Sequence, residues 1–395
     1  MSALDFGWTA YDPDAPTELR DNGDPLGLRV WGTRVARRLV PIFTPQQQTL
    51  WGFAAVCGGR RLAGEAQSSV LTMDDAWLAF EAAWVHSQTR YRATDLSMVS
   101  WPGLRRAEQD VARSRVEIGQ GHRLLLHPMT QGTWGRYRRA AVTLRLLGPR
   151  LGGRMTTPVS AHLRETGQML GDHLYKLVGS RTWAKLVRGV REGEIDDDVL
   201  SALPAAGHPA DPRLARLMSE FVGDSADLAA LRAAFDEDPL LFLLPRTLPQ
   251  ASLTPELQDA RSSANAVLDL IEGLEAPYRR WLVGEDEAAP DSATWKHPAW
   301  SVATSADGEG EVGELRRMGS ATPGSWEGVQ AWQQELARRR GSLAFLRNEV
   351  PERFAERRSP TFGLPQLGGL FAEGLLGAPM KGWRSEHLQS DAEDE

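Results

Sequence analysis

The chain has 395 residues, 42% of them hydrophobic and 25% charged, enough for two or three packed domains rather than one. Its lone cysteine, Cys57, excludes a disulfide framework, a zinc ribbon and any multi-cysteine cluster, and points to a reducing compartment. Uninterrupted apolar runs such as Leu240 to Leu244 are far short of a membrane span, and no charged-then-apolar leader opens the sequence, so the expected setting is cytoplasmic and away from membranes.

The net charge of -7 hides a split: residues 1–89 carry -3, residues 90–190 carry +12 and residues 191–395 carry -16. Of the 45 basic residues 41 are arginine, and lysine stands only at Lys176, Lys185, Lys296 and Lys381. Arginine's flat fork suits phosphate and carboxylate, whereas chemistry that needs a lysine has few candidates. A basic block beside an acidic one implies either a polyanionic partner or docking of one half on the other.

Along the chain, Asp24-Pro25, Thr44-Pro45, Thr157-Pro158, Asp211-Pro212 and Thr254-Pro255 each put a capping side chain before a proline that has no N–H to lose. Together with breakers such as Pro41, Gly58-Gly59, Gly179 and Gly223, they predict helices over 25–40, 45–57, 73–88, 103–118, 133–147, 158–178, 181–191, 212–222, 226–235, 255–283 and 326–348. Thr72 and Asp75 approximate a capping box, and Met73, Trp77, Phe80 and Trp84 recur at helical spacing toward a core. Gly273 and Pro277 predict a break or kink in the helix at 255–283. Strand signals are confined to Arg123–Leu126 and Val142–Leu147.

The expected fold is mainly α: a multi-helix chain of two or three packed subdomains with few or no strands. Composition divides it into an N-terminal helical subdomain (1–89), a basic helical segment (90–190) and an acidic helical subdomain (191–283). An acidic linker or long loop (284–325), a C-terminal helix (326–358) and an irregular tail (359–395) follow.

No phosphate-loop lysine context, Gly-x-Ser-x-Gly elbow, His-Glu-x-x-His or Cys-x-x-Cys occurs, so no catalytic residue, metal ligand or cofactor is assigned. His162, Glu165 and His173 share a predicted helix face, but the two histidines would stand about 16 Å apart at about 1.5 Å per residue. An enzyme site assembled from scattered residues would draw on His122, His127, His162 and Glu165. The carboxylates Asp74-Asp75 and Asp196-Asp197-Asp198 fall at predicted helix starts, where negative charge complements the dipole.

The basic block is the leading functional feature. Arg105, Arg106, Arg113 and Arg115 lie on one predicted helix with Arg123 just beyond, and Trp134, Arg136, Tyr137, Arg138, Arg139 and Arg145 lie on or just after the next. Arginines interleaved with aromatic rings can clamp phosphates and stack on unpaired bases, which makes nucleic acid a candidate partner. The competing arrangement buries Trp134, Tyr137, Ala141 and Leu144 and pairs the arginines with the acidic half, giving a protein–protein scaffold.

Four segments together resemble a bacterial family of unassigned activity encoded in phage-defence neighbourhoods. They are Asp5-Phe6-Gly7-Trp8, Asp24-Pro25-Leu26-Gly27 through Leu39-Val40-Pro41, the helix from Trp134 to Leu147, and Gln258-Asp259-Ala260-Arg261-Ser262-Ser263-Ala264. The chain departs from that family at Gln46-Gln47-Gln48-Thr49-Leu50, where an Arg-aromatic continuation is expected. The resemblance implies a phage-defence setting and no catalytic residue; with the missing catalytic motifs and the +12 block, the expectation is a non-catalytic defence component that binds nucleic acid, a partner enzyme within a multi-subunit system, or both.

Overall fold

The structure, a computed structural model, describes residues 26, 28–43, 47, 49–91, 101, 103–119, 122, 124–125, 132–148, 163–204, 211–223, 225–240, 242, 244–290, 324–340, 346–350, 362 and 364–380. The fold is mainly helical, with two three-residue strands among the described residues. Those residues pack as two compact units, one drawn from 42–236 and 365–380, the other from 26–41 and 237–364. Packing thus cuts across the segments that charge suggested.

In the first unit the helices are α2 (Trp51–Ala66), α3 (Met73–Tyr91), the short α4 (Leu104–Ala107), α5 (Thr133–Thr143), α6 (Glu165–Val178), α7 (Ser180–Glu192), the single turn α8 (Asp197–Leu200), α9 (Pro212–Val222), α10 (Ala226–Glu237, whose last residue falls to the other unit) and α14 (Leu364–Ala372, whose first residue does). Helix α2 is the hub: α3, α5, α6 and α7 all pack on it. Gly58-Gly59 does not end this helix, contrary to the breaker expected there. A Cβ at Gly58 would lie 2.2 Å from Leu174, and one at Gly59 would lie 2.3 Å from Phe80 and Trp77, so both glycines serve close helix approach.

Trp77, Phe80 and Trp84 are buried as their spacing predicted, and they continue into an aromatic cluster with Trp134, Trp101, Tyr137 and Phe53. The helix expected over 103–118 is instead α4, a 3-10 turn (Glu108–Asp110) and strand β1 (Arg115–Glu117). Strand β1 pairs antiparallel with β2 (Glu194–Asp196), and its burial alternates with only Val116 inside, a period of two that a helix cannot satisfy. Val142 lies in α5 rather than in a strand, and Leu147 makes an isolated bridge to Leu163.

The expected irregular tail is also corrected. Leu364, Leu367, Leu370, Phe371 and Leu375 are buried, and the buried Arg232 donates to the carbonyls of Phe371 (2.6 Å), Leu375 (3.1 Å) and Ala378 (3.0 Å), closing the C-terminus of α14.

The second unit contains α1 (Leu28–Leu39), α11 (Pro255–Leu270), α12 (Ala276–Leu282) and α13 (Trp326–Arg340). The predicted break at Gly273 and Pro277 is absorbed by a π-helical turn over Ile271–Glu275, so α11 runs into α12. The widened turn accommodates a proline that supplies no N–H. Tyr278 stacks with Trp281 at 5.9 Å and meets Trp326 of α13 at 5.9 Å. Trp326 Nε1 donates to the Glu287 carbonyl, which ties 285–290 to α13. Trp295 and Trp300 lie outside the described residues, as do the capping pairs at 24–25, 44–45 and 157–158.

Candidate nucleic-acid interface

The basic block is built on the first unit, on the end of α3, on α4, β1, α5 and the start of α6. Helix α5 opens at Gly132, which has no side chain to cap it. Glu81 of α3 supplies the missing acceptor, taking hydrogen bonds from the Thr133 and Trp134 backbone. Burial pushes the Glu81 carboxyl up to about 7, against the pull of those hydrogen bonds and of the Arg136 charge.

Trp134 and Tyr137 are 2% and 3% exposed. Trp134 packs on Trp77 with Arg60 over its ring at 4.9 Å, and Tyr137 packs on Phe53 and Trp101 while its hydroxyl accepts from Thr49 N at 3.3 Å. Their assignment as an aromatic face for bases is therefore corrected: both rings fill the core, and no π-face is left to stack on.

The arginines divide by environment. Arg136 and Arg138 are half-buried, and the Arg136 carbonyl accepts from Gln47 Nε2. Arg113 pairs with Asp110 at 3.0 Å. Arg115, 62% exposed, stands on β1 rather than on a helix and reaches Asp196 at 2.7 Å and Glu194 at 3.3 Å. Arg106, Arg139 and Arg145 are exposed and make no ion pair among the described residues. The Arg105 side chain and all of Arg123 lie outside the described residues.

Sequence reasoning missed three members of this region. Arg164 is exposed and sits beside Arg145: its N–H donates to Leu146 O at 3.1 Å, and Thr166 Oγ1 donates to Arg145 O at 2.7 Å. The available signal was its place in the +12 segment. Arg145 itself holds a φ of +58°, a left-handed conformation that costs a non-glycine residue energy and turns the chain at the end of α5. Arg90, whose side chain is 5% exposed, pairs with Asp197 and donates to Asp110 O at 2.5 Å, while Tyr91 Oη donates to Asp197 at 2.6 Å. Lys185 of α7 pairs with Asp198 at 2.5 Å. The aspartate run read as helix-start charge does open α8, but it also gathers cations from three elements.

The scattered histidines have separate settings. His122 is exposed and 2.8 Å from Glu117. His173 is buried, 3.4 Å from Asp211, and burial lowers its pKa against the pull of that carboxylate. Glu165 is exposed in the first turn of α6, and His127 and His162 lie outside the described residues. His86 is buried beside Arg90 and Asp110, and burial pushes its pKa down to about 4. Burial drives the Cys57 thiol up, which leaves it un-ionised and a poor nucleophile.

Among the described residues no group of three His, Cys, Asp or Glu side chains is placed to hold a metal ion, and no helix is long and apolar enough to cross a membrane. Comparison with protein-family models, with curated proteins and with solved structures finds no match.

Proposed function

We propose that this chain is a non-catalytic component of a bacterial anti-phage or anti-plasmid system, and that it binds nucleic-acid backbone through the outward arginines of its first unit. One observation carries the reading: Arg106, Arg139 and Arg145 stand exposed without a carboxylate partner among the described residues, with Arg164 beside Arg145. Unpaired guanidinium groups on a surface are what phosphate contacts use, and such contacts need no base-reading motif. With Trp134 and Tyr137 inside, the binding expected is salt-sensitive and indifferent to sequence.

The test is fluorescence anisotropy of labelled single- and double-stranded DNA and RNA across a salt series, with R139Q/R145Q/R164Q alongside. The wild type binds, and the variant lowers the slope of log K against log salt by up to about three, one per lost phosphate contact. A wild type that binds none of these at low salt overturns the reading.

A second reading has its own observation. Arg90, Arg115 and Lys185 are satisfied by Asp197, Asp196 and Asp198, which is the intramolecular neutralisation expected of a protein–protein scaffold. Copurification with a partner, without nucleic-acid binding, would favour it.

A further inference from the structure

We propose that residues 194–198 act as a built-in acidic decoy, occupying part of the basic surface until a polyanion displaces it. This rests on the nucleic-acid reading above and concerns the regulation of that surface. Within five residues the chain places Glu194, Asp196, Asp197 and Asp198, and cations from three different elements converge on them. Arg90 comes from the end of α3, Arg115 from β1 and Lys185 from α7. Four carboxylates against three cations leave a local excess of negative charge, which repels a phosphate backbone. The same three cations without the strip would attract one.

The geometry divides the pairs into a holding part and a releasing part. Arg90 is buried and also bonded to Asp110 O, and Asp197 is bonded to Tyr91, so that tie anchors the strip. Arg115 at 62% exposure and Lys185 at 37% make solvent-screened pairs that are individually weak and fade with salt. Buried Ile195, Val199 and Leu200 hold the strip's backbone in place, so release consists of the exposed Arg115 and Lys185 side chains turning from its carboxylates to the polyanion. A duplex presents roughly one charge per 1.7 Å and releases condensed counterions on binding, so it outcompetes isolated surface carboxylates for the two exposed cations.

The experiment titrates a fluorescein-labelled duplex DNA against the full chain, D196N/D198N and the charge-matched control E256Q/D259N, with thermal melts of each. Glu256 and Asp259 are exposed and lie in the other unit. D196N/D198N is expected to bind more tightly than both, with a salt slope steeper by between about one and two, since Lys185 is freed and Arg115 keeps only its longer pair with Glu194. The single D198N, which frees Lys185 alone, steepens it by about one and replaces the double variant if the latter melts early.

Equal binding by all three proteins overturns the decoy and leaves the outward arginines in place. An equal gain in the control also overturns it, because total charge would then be the cause. Binding by D196N/D198N alone, with a silent wild type, supports the decoy and overturns the outward arginines. Silence from all three overturns both.

Discussion

Helices α9 and α11 start on residues their own sequence provides, whereas α2 and α5 start on carboxylates brought from elsewhere in the chain. At α9 the Asp211 carboxylate accepts from Arg213 N at 2.7 Å, and at α11 the Thr254 hydroxyl accepts from Leu257 N at 3.3 Å. At α5 the acceptor is Glu81, 52 residues away, and at α2 the Leu50 N–H reaches Glu373 at 2.5 Å across 323 residues. A local cap forms with its helix and stays partly exposed, as Asp211 and Thr254 do. A remote cap forms only once the tertiary structure has closed, and then it is buried. The difference bears on function because α5 carries Arg139 and leads into Arg145, so its orientation depends on a residue of α3.

The strongest way to break this contrast is Glu81→Ala. The substitution strands the buried Thr133 and Trp134 N–H groups, at about 1–3 kcal/mol each, so a loss near 3 kcal/mol is expected in chemical denaturation. Polyanion affinity should fall with it, since α5 loses its fixed start. A melting temperature unchanged within about 2 °C would show that the carboxylate is not the cap.

Gly52→Ala attacks the same junction by packing. A Cβ at Gly52 would lie 2.0 Å from the Tyr137 ring, which is itself wedged against Phe53 and Trp101. Overpacking of this kind costs about 1–3 kcal/mol. Helix α2 tolerates the glycine because so much of its length is buried, and a matched Gly64→Ala, which meets no atom within 4 Å, should instead be neutral or stabilising.

Acidity separates remote from local caps without any mutation. Burial lifts Glu81 and Glu373 from 4.5 to about 7, so the native state takes up protons more readily than the unfolded chain between those values. Their contribution to stability is therefore complete below about pH 4.5 and is lost as pH rises through 7. His86, lowered from 6.5 to about 4, works the other way: its contribution is present above 6.5 and is lost as pH falls through 4. Between pH 6.5 and 7 the two glutamates act alone, and stability should fall as pH rises. Each group is worth at most about 1.4 kcal/mol per pH unit, and Glu81→Gln should flatten the profile by one group's share. A profile that Glu81→Gln leaves unaltered from pH 5 to 7.5 would contradict a buried titrating cap.

The same contrast explains what could be read from sequence. Thr254-Pro255, Asp211-Pro212 and the Thr72–Asp75 pair are contiguous signals, and the structure places α11, α9 and α3 where they point. Glu81 and Glu373 carry no such mark, since a glutamate on a helix or in the turn after one looks the same in sequence whether it meets water or another helix's amides. The start of α2 at Trp51, its passage through Gly58-Gly59 and the burial of 364–375 all depend on partners distant in sequence. The candidate interface is half legible for the same reason. Charge counting found the arginines, but only tertiary pairing distinguishes Arg115, held by Asp196, from Arg139 and Arg145. An aromatic at helical spacing was equally compatible with core or surface, and Trp77 decided the matter for Trp134.

Thr254→Ala sets the lower end of the scale. It removes one hydroxyl acceptor at the first turn of α11, where Pro255 already lacks an N–H and a single amide, that of Leu257, loses its partner. A cap of this kind is worth about 1 kcal/mol, so the loss should be a third or less of that for Glu81→Ala. It should also be independent of pH between 5 and 7.5, because a threonine hydroxyl does not titrate there. Urea denaturation of the two variants at pH 5 and pH 7.5 measures both points together. If Thr254→Ala proved as costly as Glu81→Ala, or as dependent on pH, then local and remote caps would be energetically alike. Burial would then have no part in the difference, and the pH profile would need a source other than the two glutamates.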